Sequence, residues 1–121
     1  MLGIKFEPRE VILAHFPFET KDKTKVEKNH PTLVISKSTI VYNNDIYICL
    51  PITSNPSPDP HKFEIKNNNM QEGQLKILPS WVVCDLISAI SKERAVMRIG
   101  RVKQEYYDNV VQKIKKDILE L

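Results

Sequence analysis

Cysteine is scarce in this chain. The two that occur, Cys49 and Cys84, each sit inside an apolar run, Ile46–Leu50 and Trp81–Leu86. There is no Cys-x-x-Cys pair and no histidine close to either in sequence, so both are expected as buried free thiols rather than as a disulfide or a metal site. No apolar run approaches the ~20 residues that a membrane-spanning helix requires. Met1–Arg9 lacks a basic stretch followed by an apolar one, so no signal peptide and a cytoplasmic location are expected. His15, His30 and His61 are far apart, with no His-x-x-x-His or Cys–His spacing, which predicts neither a metal nor another cofactor. Internal repeats and linker-like segments are also missing, and residues 1–121 read as a single domain.

What is present points to a small barrel. A chain of 121 residues can bury about two-thirds of its unfolded surface, enough for one core without staples. The β-rich segments are short. Glu10–Phe16 (EVILAHF) reads as a strand stopped by Pro17. Thr32–Ser36 and Asp45–Ile52 follow, the latter with Ile46, Ile48 and Leu50 on one face and Tyr47 and Cys49 on the other, as in a strand buried on both sides. Thr53–His61 carries three prolines and reads as a loop. Lys62–Ile65, Gln74–Leu78, Ser80–Leu86 and Arg94–Gly100 supply further strands, with turns at Asn67–Asn69 and Gly73 and a hairpin at Ser91–Arg94. From Gln104 to Leu121 the pattern changes. Tyr107, Val110, Val111, Ile114, Ile118 and Leu121 recur at helical spacing, with Glu105 and Asp108 early and Lys113, Lys115 and Lys116 late, as the helix dipole favours. The fold class is therefore mainly β, a small barrel closed by a C-terminal α-helix.

The net charge of +3 is mild, but its distribution is uneven. Lys21, Lys23, Lys25 and Lys28 crowd the polar stretch Glu19–Asn29, which has no periodicity and reads as a mobile loop. Arg94, Arg98 and Arg101 form a second group. Basic clusters of this kind attract phosphate backbones, although a solvated loop gives the same pattern.

Three segments, in order and spacing, resemble the MazF/PemK toxin family. They are Arg9–Phe18 (REVILAHFPF), His30–Ser36 (HPTLVIS) and Leu50–Asn55 (LPITSN), with Trp81–Ile90 (WVVCDLISAI) a weaker fourth. The resemblance implies an SH3-like β-barrel, a homodimer, and an RNA cleft roofed by the loop between the first two strands. It also implies a metal-independent endoribonuclease, in which the 2′-hydroxyl of single-stranded RNA attacks the adjacent phosphorus. A cognate antitoxin with an acidic disordered segment would occupy the same groove. Carried over residue by residue, Thr53 matches the family's catalytic threonine, Ser54 offers a second donor, and Asp85 matches an acidic position. Lys21, Lys23, Lys25 and Lys28 become candidates for RNA contact.

The family's arginine before the proline of the second strand is His30 here. Histidine is a poorer permanent anion clamp than arginine but a better proton-transfer group. The alternative reading is a catalytically inactive homologue that binds RNA, an antitoxin or a gyrase-type protein target, since fold alone does not decide function.

Overall fold

The computed structural model describes residues 6–19, 25–37, 46–56 and 58–119, with the backbone alone at 16–19 and 25–28. Among these residues there are eight strands: β1 (Glu10–Glu19), β2 (Lys25–Val34), β3 (Ile46–Thr53), β4 (Lys62–Ile65), β5 (Met70–Glu72), β6 (Ser80–Val83), β7 (Ser88–Ser91) and β8 (Ala95–Val102). They form one antiparallel sheet in the order β4-β6-β3-β2-β1-β8-β5, with β7 also pairing β3. Register shifts between β1 and β8, at Val11/Ile12 and Leu13/Ala14, add local twist. The result is a curled half-barrel, mainly β, carrying a C-terminal helix, α1 (Gln104–Lys113).

Two of the expected boundaries are corrected. β1 continues through Pro17, and β2 starts at Lys25 instead of after a loop ending near Asn29. The two strands pair continuously from Val11↔Leu33 to Glu19↔Lys25. Pro17 is tolerated because β8 pairs β1 only over Glu10–Ala14, so Pro17 needs a partner on one edge only. Lys21 and Lys23 lie outside the described residues. Two strands, β5 and β7, were not expected, whereas 74–79, read as a strand, is irregular. The expected hairpin at Ser91–Arg94 is a single 3₁₀ turn, Lys92–Arg94.

The central strands bury both faces, as the two-sided apolar pattern of β3 implied. Val11, Leu33, Leu50, Ile52 and Val82 join one cluster, which α1 covers through Tyr106 and Val110, and the π-helical turn that follows it, Ile114–Ile118, covers through Ile114. Their neighbours Ile12, Val34 and Cys49 point the other way, into a second cluster with Ala14, Tyr47, Ile90 and Phe6. Tyr106 sits deeper than the predicted stripe suggested. Its ring stacks on Phe63 at 5.1 Å, and its hydroxyl donates to the carbonyl of Glu64 at 3.0 Å. Both cysteines are free and buried.

Two glycines fit the segment after β5 against β8. Gly73 has φ +76, and a side chain at Gly100 would collide with the backbone carbonyl of Glu72. This close approach delivers residues 74–77 to the mouth of the half-barrel.

Candidate active site

The site forms where β2 and β3 part. Their ladder runs Val34↔Cys49, Leu33↔Leu50, Thr32↔Pro51 and ends there. Two further steps in the same register bring His30 opposite Thr53. At this point β3 turns to pair β6 on its other edge, Ile52↔Val82 and Thr53↔Trp81. The gap is bridged by the His30 side chain, whose Nδ1 lies 3.2 Å from the carbonyl oxygen of Ile52. A carbonyl oxygen can only accept, so Nδ1 carries the hydrogen, and in the neutral ring the lone pair resides on Nε2. The Thr53 hydroxyl oxygen accepts the N–H of Asn55 at 3.1 Å, a local turn that leaves its own hydrogen for another acceptor.

A cavity of about 360 Å³ adjoins this junction. Its walls are Leu13, Pro31, Ile52, Leu75, Ile77, Met97 and Ile99, with Asn29, His30, Ser54, Gln74, Lys76 and Ser80 supplying the polar groups. Met97 and Ile77 are 54% and 64% exposed and widen its apolar character at the rim. His30 and Ser54 are thus brought together. Thr53 is not among the lining residues, although it is half-buried between them in sequence. Asp85 does not line the cavity either. It is exposed in the turn after β6. Lys25 and Lys28 belong to β2, in register with Glu19 and Phe16. Lys76 and Gln74 were missed in the sequence because 74–78 read as a strand with no polar role.

The arginine group is mostly occupied internally. Arg98 is ion-paired to the buried Glu10 and, at 2.6 Å, to Glu72, and Arg101 lies 4.0 Å from Glu10. The hydrogen bond from Arg98 lowers the Glu72 carboxyl below its ordinary range, and Glu10 holds Arg98 more firmly charged. Arg94 donates to the carbonyl of His15 at 3.3 Å. This set therefore ties β1, β5 and β8 together. Among the described residues no three His, Cys, Asp or Glu side chains converge as a metal-ligand set.

No curated protein matches the sequence. The solved structures nonetheless include close matches in shape. MazF from Deinococcus radiodurans superposes with a TM-score of 0.71 at 13% identity, covering 98% of this chain and 100% of that one. A MazE–MazF structure from the same bacterium gives 0.71 at 12% identity, covering 95% and 96%. An endoribonuclease from a mycobacterial species gives 0.65 at 14% identity, covering 97% of each chain. At such identities these matches establish the fold. Membership comes from the sequence itself, because the family model matches residues 7–118, nearly the whole chain. The chain belongs to the PemK-like, MazF-like toxins of type II toxin–antitoxin systems.

Proposed function

We propose that this toxin is an endoribonuclease that cuts single-stranded RNA by attack of the substrate's 2′-hydroxyl on the neighbouring phosphorus. The observation that supports this best is the hydrogen bond from His30 Nδ1 to the Ile52 carbonyl, which presses the imidazole against the peptide leading into Thr53. Nε2 takes the proton of the attacking 2′-hydroxyl. The bond from that oxygen to phosphorus forms and the bond to the 5′-oxygen breaks. The 5′-oxygen leaves with a proton from solvent, giving a 2′,3′-cyclic phosphate and a 5′-hydroxyl. The Thr53 hydroxyl and Ser54 donate to the crowded anionic phosphorane, with Lys28 adding charge. No metal is required, because the nucleophile belongs to the substrate and side chains meet the developing charge. Asp85 is needed for none of these steps. The partners are a second copy of the chain and an antitoxin whose acidic, disordered segment folds on binding.

Single-turnover cleavage of a fluorogenic RNA tests the reading. His30→Ala should lose about 10²–10⁴ in rate, the usual worth of a proton-transfer group. Thr53→Ala should also be impaired, and excess chelator should change nothing. Activity abolished by chelator and restored by magnesium would overturn the mechanism. If wild type and His30→Arg are both inert over a broad panel of RNAs, the chain is a binding module instead.

A further inference from the structure

Trp81 is the only tryptophan of the chain, and neither core uses it. On β6 its neighbours Ser80 and Val82 are buried, whereas Trp81 is half-exposed on the opposite face. Among the described residues its ring belongs to neither hydrophobic cluster. A large aromatic that packs into no core has a surface left for something else.

Its position is set by two registers. Trp81 lies directly opposite Thr53 on β3 and opposite Glu64 on β4. Residues opposite one another in an antiparallel pair point to the same face, with Cβ atoms roughly 4.5–5.5 Å apart. The order across the sheet is therefore His30, Thr53, Trp81. A cation completes the arrangement. Lys62 Nζ lies 5.8 Å from the centroid of the Trp81 ring and donates to the carbonyl of Asn55 at 2.7 Å. Asn55 is the same residue whose N–H holds the Thr53 hydroxyl. The negative charge in the row, Glu64, is 4.0 Å from Lys66.

We propose that Trp81 is a stacking platform for the nucleobase adjoining the cleaved linkage, and that Lys62 pairs with the phosphate on that side. The inference rests on the endoribonuclease reading and assigns the part of the RNA that runs past Thr53 away from His30. An indole beside a flexible ammonium suits a single strand, in which each nucleotide offers one flat ring and one negative charge. A base seated on the indole takes the space of the Lys62 side chain, whose ammonium swings outward to the phosphate. Stacking is tolerant of base identity, so this subsite adds affinity and register rather than a sequence code. An acidic peptide would satisfy Lys62 but has less use for the indole face.

Because the chain has one tryptophan, its fluorescence reports on this subsite directly. The probe is a short single-stranded RNA with 2′-O-methyl riboses, which binds without being cut. It should quench the indole saturably, with the same midpoint as anisotropy of a labelled copy. In cleavage of the unmodified RNA, Trp81→Ala should raise KM roughly 5- to 150-fold with kcat little changed, and Trp81→Phe should recover most of the loss. Replacing one base of the RNA by an abasic site should weaken wild type and leave Trp81→Ala indifferent, which a merely structural role for the ring would not produce. RNA that binds by anisotropy and is cleaved, with indole emission unmoved, overturns the stacking site and leaves the nuclease standing. RNA that neither binds nor is cleaved overturns both. Quenching by an acidic peptide but not by the RNA makes the platform a protein-binding one and also overturns the proposal.

Discussion

At the level of single residues, the proposed mechanism turns on His30, which stands where the family resemblance implies arginine. Its bond to the Ile52 carbonyl fixes which nitrogen holds the proton. In the proposed mechanism the imidazole accepts a proton only when neutral, so the cleavage rate should rise with pH through its titration. His30→Arg, permanently charged, should flatten that rise; an unchanged pH profile in the variant would remove His30 from proton transfer. The cysteines behave in the opposite way. Burial pushes the Cys49 thiol up to about 12 and Cys84 to about 11, from an ordinary value of 9.0. Folding thus favours the neutral thiol. That contribution is complete below pH 9.0, the unfolded value, and is lost as pH climbs toward the folded values. Iodoacetamide at pH 8 should therefore leave the native protein unmodified and label both thiols in urea, as mass spectrometry would read. Rapid labelling of the native chain would contradict the burial.

Among the elements, legibility followed length and burial. β3 and β4 were readable as strands because a run of four to eight residues with apolar alternation has few other homes. β7 (SAIS) and β5 (MQE) were not, since three or four residues with a single large apolar side chain each carry no period, and it is their ladders to β3 and β8, with Ile90 and Met70 in the core, that hold them. The lysine-rich start of β2 was missed for a related reason: cross-strand hydrogen bonding to β1 makes it a strand, and a ladder leaves no mark on composition. The site was legible only in part. His30, Thr53 and Ser54 were proposed from the resemblance, whereas the junction near which they lie is a departure of β3 from β2 that leaves no mark in the sequence, and Trp81 reads in sequence as one more apolar strand residue. The arginines show the limit of charge counting, because their carboxylate partners are distant along the chain. Removing one end of that clamp should be costly. Arg98→Ala should destabilise the fold in urea by less than the ~3–5 kcal/mol of a fully buried pair, since Arg98 is 36% exposed and Arg101 remains near Glu10. No measurable loss would make the clamp a surface ornament.

For the molecule as a whole, the proposed assembly has a direct check. Light scattering at micromolar concentration should give twice the 14.0 kDa chain mass, and a clean monomer would count against a shared RNA cleft. RNA affinity should fall as salt rises, because lysines meeting phosphates release counterions. A salt-independent complex would place the RNA on the apolar rim instead. The two clusters that share β1, β2 and β3 have a consequence for how this protein can change over generations. An ordinary half-exposed strand offers alternate positions where substitution is nearly free. Here Val11 and Ile12, Leu33 and Val34, and Cys49 and Leu50 are all 0% exposed, so neighbouring positions are equally constrained. Selection for folded protein in a saturation library should therefore yield unbroken intolerant blocks in these strands, with drift channelled into the exposed residues 76–78 and the outer side of α1, while Ile65 and Leu75 stay fixed. Diversification of the toxin would then proceed by redecorating the mouth of the half-barrel while its walls stay fixed.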